Sequence, residues 1–217
     1  MQIYPVIHYK DDETTINEAK IAHNAGADGV FLISHLGSNE RLIPLAVEIK
    51  KLLGFKVGLN FLGDDAIYTA KIVKDNNLDM VWSDYCGVSS LGLCFEGFEL
   101  QAWARENKQI DVFASVAFKY QADEPNPPLA AQLADSAGFI PTTSGSGTGH
   151  APTVEKIASM FKATGGLLAV ASGMTPDNIS EFKPYLSHVL VSTGISKDEY
   201  HFDRDKLSLF IQKAKKI

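Results

Sequence analysis

Asp84 closes an apolar stretch, Met80-Val81-Trp82-Ser83. An acid in such surroundings keeps its proton to higher pH, which suits a general acid or base. The plainer reading is an Asx turn or helix cap where the chain leaves a strand. Lys119 follows Ala117-Phe118. Its amine has the chemistry to stabilise developing negative charge or to form a Schiff base, or it simply pairs with Asp84 or Asp111. His8 and His35 are candidate proton shuttles or donors, and are read equally well as hydrogen-bonded rim residues. Asn60 would orient a substrate beside them. Cys86 stands two residues beyond Asp84, but no base pairs with it, so a nucleophilic thiol is the weaker reading. No H-x-H, HExxH or Cys-His spacing is present, so no metal site is expected.

Glycine gives the second signal. Ser144-Gly145-Ser146-Gly147-Thr148-Gly149 has glycine at alternate positions, which lets backbone N–H groups approach an anion, with flanking hydroxyls adding donors. It is neither a dinucleotide fingerprint nor a Walker loop, because the G-x-G-x-x-G spacing and the Gly-Lys-Ser/Thr ending are missing. Alone it reads as well as a flexible surface loop. Two further turns, Ser172-Gly173 and Ser192-Thr193-Gly194, favour a phosphate site built from all three. His150 follows the first turn and is placed to touch a phosphate. His188 and His201 read as surface residues.

The elements that must position these groups are legible in the apolar pattern. Strands are expected at Ile3–His8, Gly29–Ser34, Lys56–Phe61, Met80–Asp84, Val112–Lys119, Gly138–Thr143, Leu167–Ser172 and His188–Ser192. Most are near-continuous apolar runs, as parallel strands covered on both faces require. Helical period lies between them: Leu42, Leu45, Ala46, Ile49, Leu52 and Leu53 share a face, as do Val154, Ile157, Ala158 and Phe161, and Leu207, Phe210, Ile211 and Ala214. Thr175-Pro176-Asp177 reads as a helix start, and Pro152 plays the same part further upstream. Asp123 to Pro128 reads as a stiff loop leading into a helix.

Eight strand–helix units of roughly 27 residues make a near-minimal α/β fold of the (β/α)8 barrel type. A doubly wound sheet gives the same alternation, but its glycine-rich turn belongs after the first strand. In a barrel the chemistry sits at the C-terminal strand ends, and the loops after strands seven and eight usually hold phosphate, helped by a short extra helix. Ser196-Lys197-Asp198-Glu199 is the candidate for that helix.

The 217 residues carry 20 Lys+Arg against 26 Asp+Glu, and 45% are hydrophobic. This is globular composition, and its acidic balance weighs against nucleic acid as a partner. One domain over 1–217 is expected. Two cysteines are too few for a disulfide scaffold, and the Met1–Pro5 start shows no signal peptide. No apolar run approaches the ~20 residues of a membrane span. A soluble cytoplasmic protein is expected, with homo-oligomerisation left open.

Val57-Gly58-Leu59-Asn60-Phe61-Leu62-Gly63-Asp64-Asp65-Ala66, Thr143–Gly149, Ala171–Ile179 and Val191–Ile195 together resemble segments of the BtpA/SgcQ family, in the same order. The resemblance implies a phosphate-binding (β/α)8 barrel. Members of that family are tied to photosystem biogenesis, sugar or nucleotide metabolism, or phosphoribosyl transfer. The departures lie at the other end of the site. The loop after strand one shrinks to His8–Asp12, Ile33-Ser34-His35 replaces a Glu-Asn, and Trp82 to Cys86 replaces an Arg-x-Asn pattern.

The expectation is an enzyme acting on a small phosphorylated metabolite, a ribose phosphate, sugar phosphate or nucleotide-like compound. No cofactor is expected beyond the substrate's own phosphate. Gly145–Gly149, Ser172-Gly173 and Ser192-Thr193-Gly194 would hold that phosphate. Asp84 and Lys119 would do the chemistry, of isomerase, lyase or phosphoribosyl-transfer type. The alternatives are a non-catalytic assembly factor built on the same barrel, or a nucleotide-binding regulator.

Overall fold

Successive side chains of a strand point to opposite faces, so a strand covered on both sides must be apolar throughout. In the computed structural model, which describes residues 1–37 and 39–216, β1 (Gln2–His8) shows this directly. Ile3 and Ile7 pack with the helices, while Tyr4 and Val6 point inward. The same division runs through β2 (Gly29–Ile33), β3 (Lys56–Asn60), β4 (Met80–Ser83), β5 (Asp111–Ser115), β6 (Ile140–Thr143), β7 (Ala169–Ala171) and β8 (His188–Val191). All eight are parallel, and β1 closes the ring by pairing with both β2 and β8. The closed (β/α)8 barrel is therefore the fold, and the open doubly wound alternative is excluded.

The helices are α1 (Asp12–Asn24), α2 (Asn39–Leu53), α3 (Ala66–Asp75), α4 (Phe95–Glu106), α5 (Pro127–Ser136), α6 (Val154–Ala163), α7 (Ile179–Phe182) and α8 (Arg204–Lys215). The barrel centre is aromatic: Tyr4, Phe31, Phe113 and Trp82 meet edge to face, with ring centroids 5.2–5.9 Å apart. Gly58 makes room for this cluster, since a Cβ there would lie 2.4 Å from the Phe31 ring. The two ends of the chain are tied by buried Glu18 of α1, which accepts the Phe202 N–H at 2.7 Å.

Several expectations need correction. The fifth strand ends at Ser115 and does not reach Lys119, because Ala117 takes a left-handed φ of 47° and turns the chain off the sheet. Ser196–Glu199 forms no helix; the short helix after β8 is the single 3₁₀ turn Thr193–Ile195. Pro152 precedes the N-cap, which is Thr153 accepting from the Lys156 N–H. Leu52 is exposed, so the buried face of α2 is Leu42, Leu45, Ala46 and Ile49. His188 is not a surface residue. It starts β8 pointing inward, stacks on Tyr4 at 6.1 Å and meets Phe113 edge-on at 5.4 Å.

An antiparallel hairpin, Val88–Ser89 with Gly92–Leu93, was not expected from the pattern; strands of two residues carry no periodicity to read. The Asp123–Pro128 loop does lead into a helix, α5, capped by Asn126. Thr175 behaves as a cap, its hydroxyl accepting from the N–H groups of Asp177 and Asn178, although α7 itself begins at Ile179.

Candidate active site

The C-terminal mouth of the barrel opens into a cavity of about 260 Å³. Its floor is apolar, made by Val6, Ile33, Trp82, Leu190 and Met174. Around the rim stand His8, His35, Asp84, Lys119, Thr148 and the turns Ser172-Gly173 and Ser192-Thr193-Gly194. The volume lies near the lower end of the range for small-molecule sites, which fits a small metabolite.

Asp84 sits just past β4 and is exposed to the cavity, yet its carboxyl group lies among walls close enough for burial to raise its pKa. The Asn60 amide and the charges of Lys119 and His35 oppose that rise. Asn60 ends β3 almost fully buried; its Nδ2 has no hydrogen-bond partner within bonding distance, although it faces the Asp84 carboxyl. A buried donor left unmatched is costly, and a ligand oxygen would satisfy it. Asn60 lines a neighbouring cavity of about 380 Å³ that shares Asp84 with the first.

His8 ends β1 and His35 follows β2, their rings 5.1 Å apart. Burial, reinforced by the nearby His35, pushes the His8 pKa down to about 4, and its Nδ1 is buried without a partner. His8 is therefore neutral at pH 7 and able to donate or accept a hydrogen bond there.

Lys119 forms an ion pair with neither Asp84 nor Asp111. Asp111 is taken by Lys56 at 2.7 Å at the opposite end of β5. The Lys119 amine instead donates to Thr148 Oγ1 at 3.2 Å and lies 5.7 and 5.9 Å from the Phe118 and Tyr120 ring centres. Tyr120, which the sequence did not single out, adds a second bond from its hydroxyl to Thr148 Oγ1.

The glycine turns divide into two roles. A Cβ at Gly173 would lie 2.1 Å from Ala151 N, and one at Gly194 would lie 1.9 Å from Met174 O. Gly145 meets the His150 carbonyl in the same way. The loops after β6, β7 and β8 thus rest backbone on backbone, and Ser172 Oγ adds a bond to Gly147 O. The N–H groups of Gly173, Thr193 and Gly194 donate to no backbone acceptor among the described residues and remain available at the cavity rim. Gly194→Ala is expected to force β7 and β8 loops apart at a cost of about 1–3 kcal/mol. A thermal melt should show Tm lower by several degrees.

Of Ser144–Gly149, Thr148 is the residue that lines the cavity. Ser144 is buried, its hydroxyl accepting the Lys119 N–H at 2.7 Å and donating to Gly145 O. Ser144, Gly145 and Ser146 border a separate outer cleft together with Lys156. Gly147 and Gly149 shape the loop, Gly149 with a φ of 79°. His150 is exposed and borders none of these cavities, and His201 pairs with Asp198 at 2.7 Å. Burial pushes the Cys86 thiol up to about 12, which makes it a poor nucleophile. Among the described residues no cluster of His, Cys, Asp or Glu could hold a metal ion, and no helix is long and apolar enough to cross a membrane.

No protein-family model matches the chain, and no curated protein matches it. The resemblance to the BtpA/SgcQ family therefore gains no support from a family match, while the fold that it implies is present. Solved structures do match over nearly the full length. Phosphoribosyl anthranilate isomerase from Thermus thermophilus shares 15% identity over 98% of both chains, with a TM-score of 0.68. The Thermotoga maritima isomerase shares 17% over 100% of both, at 0.67. (S)-3-O-geranylgeranylglyceryl phosphate synthase from Thermoplasma acidophilum, in complex with sn-glycerol-1-phosphate, shares 14%, covering 100% of this chain and 94% of its own, at 0.70. At such identities the likeness is one of fold.

Proposed function

We propose that this chain is an enzyme acting on a small phosphorylated metabolite, and that its reaction turns on proton transfer next to a carbonyl, as in an isomerisation. One observation carries the reading: Gly173, Thr193 and Gly194, whose N–H groups have no backbone acceptor among the described residues, line one small cavity together with Asp84 and Lys119. Phosphate would be taken by those N–H groups with the Thr193 hydroxyl, at the position where barrels of this kind commonly bind it. The fold neighbours support this by their names, an isomerase of a phosphoribosyl compound and a glyceryl phosphate synthase.

The chemistry follows from what faces the other end. The Asp84 carboxylate, its pKa raised by burial, takes a proton from the carbon beside a substrate carbonyl. Electron density moves onto the carbonyl oxygen, where the Lys119 ammonium stabilises it. The enolate oxygen then takes a proton and the adjacent hydroxyl gives one up, a relay that neutral His8 serves. Asp84 returns its proton to the former carbonyl carbon, so that the carbonyl moves to the neighbouring carbon. Neutral His8 holds a substrate oxygen in place, while the Asn60 amide faces the Asp84 carboxyl from the adjoining cavity. Binding energy from the distant phosphate keeps the reacting carbon against Asp84.

Thermal unfolding with ribose 5-phosphate, glycerol phosphates and inorganic phosphate tests the binding half. A ligand present at a hundred times its Kd should add about 2.7 kcal/mol, raising Tm by roughly 5–10 °C for a chain of this size. If none of these compounds moves Tm at millimolar concentration, the phosphate site is refuted.

A further inference from the structure

Lys156, in the first turn of α6, is a lysine turned inward. Its amine donates to the carbonyl of Ala117 at 2.7 Å and to the carbonyl of Ser144 at 2.8 Å. It forms no ion pair among the described residues, and burial lowers its pKa. A lysine ordinarily keeps its ammonium in water, so one spent on two backbone carbonyls marks a place where those carbonyls need holding.

The place is the turn that carries Lys119. Ala117 has a Cβ and still takes a φ of 47°, a conformation that costs energy and persists only where its surroundings enforce it. Three contacts enforce it here. Lys156 and the Thr143 hydroxyl (3.0 Å) both donate to the Ala117 carbonyl. Two residues on, the Lys119 N–H is tied to Ser144 Oγ, in the same residue whose carbonyl Lys156 also grips. Without this turn β5 would run on, and Lys119 would leave along the strand direction.

We propose that Lys156 is a positioning residue: it locks the left-handed turn at Ala117 and thereby aims the Lys119 amine into the cavity. Lys156 reaches substrate only through Lys119, and the inference rests on the function proposed above for that amine.

2-Phosphoglycolate is the probe. Its phosphate suits the glycine turns, and its carboxylate stands where an enolate oxygen would develop, against Lys119. Inorganic phosphate is the control. Lys119→Met should weaken phosphoglycolate at least tenfold and leave inorganic phosphate within about threefold. Lys156→Met, which keeps a long apolar stem, should show the same selective loss. The double variant should bind no more weakly than Lys119→Met alone, since both changes remove one interaction. Amide hydrogen exchange at Lys119 should rise at least tenfold in Lys156→Met, with the core strands unchanged.

Equal losses for both ligands, additive losses in the double variant, or an unchanged Lys119 amide would overturn the proposal. If the wild-type chain binds neither ligand, the proposed function fails, and Lys119 amide exchange still decides whether Lys156 holds the turn. Should Lys156→Met fail to fold, Thr143→Val removes the second donor to Ala117 and must move the same readouts the same way, by a smaller factor.

Discussion

Replacing Asp84 with Asn is expected to lower turnover on a phosphorylated substrate by roughly 10²–10⁴-fold, the range for losing a positioned proton-transfer group. Stability should stay level or rise. The Asp84 pKa is raised in the folded chain, chiefly by burial. The folded state therefore favours the neutral acid, and stability falls as pH climbs past the ordinary carboxylate value and the group ionises. At pH 7 the charged carboxylate is a burden that Asn relieves. Activity lost with Tm unchanged or higher is the signature of a group kept for its chemistry. A variant that loses Tm along with turnover would make Asp84 a structural cap and remove the base from the mechanism. The same substitution separates the enzyme from an assembly factor, which would keep its phenotype.

The second large effect is acid lability between pH 6.5 and 4. Burial pushes both His8 and His188 down to about 4. In the unfolded chain each would take a proton near 6.5, so the unfolded state binds more protons throughout that window. Stability contributed by the neutral rings is complete above pH 6.5 and drains away as pH falls toward 4. Each histidine accounts for on the order of 3 kcal/mol by pH 4. Together they reach a good fraction of the 5–15 kcal/mol by which folded domains usually exceed their unfolded states. Asp11, Asp12, Glu96, Glu124 and Asp198 have lowered pKa values, so their contributions are lost only at lower pH. Asp84 works in the opposite direction and offsets part of the loss. Urea melts at pH 7 and pH 4.5 provide the check. His188→Gln should be less stable than wild type at pH 7, having lost its stacking on Tyr4, and should lose distinctly less on acidification. A wild-type chain with the same unfolding free energy at both pH values would contradict the assignment.

All eight barrel strands were legible in the sequence because burial on two faces leaves a one-dimensional trace, an unbroken apolar run such as Val30-Phe31-Leu32-Ile33. Their C-terminal ends were legible to within a residue on seven strands, the fifth being expected to reach Lys119 and ending at Ser115. This brought His8, His35, Asp84 and Lys119 into one residue set before any distance was known. What escaped notice depends on single backbone angles or on contacts between distant residues. Nothing in Val116-Ala117-Phe118 announces a left-handed alanine, since residues on other elements, Thr143 and Lys156, impose it. His188 looked polar enough for the surface. It lies inside because β8 begins with an inward position facing Tyr4, a matter of register that the sequence does not display. The glycine runs were noticed for their freedom to approach an anion. At Gly173 and Gly194 the backbone they approach first is that of the next loop.

That interlocking has a consequence for how the protein could be changed. Three loops that meet backbone on backbone at Gly173 and Gly194 cannot be swapped one at a time, because any inserted loop must reproduce its neighbour's contour. On the half of the rim formed after β1 to β4, contacts between loops run through replaceable side chains, such as Asn39 Nδ2 donating to Leu62 O and Asp64 and the paired rings of His8 and His35. New substrate preferences, whether from natural drift or from a designed library, should therefore accumulate around His8, His35, Asn60 and Asp84, while the β6–β8 side is inherited as one piece.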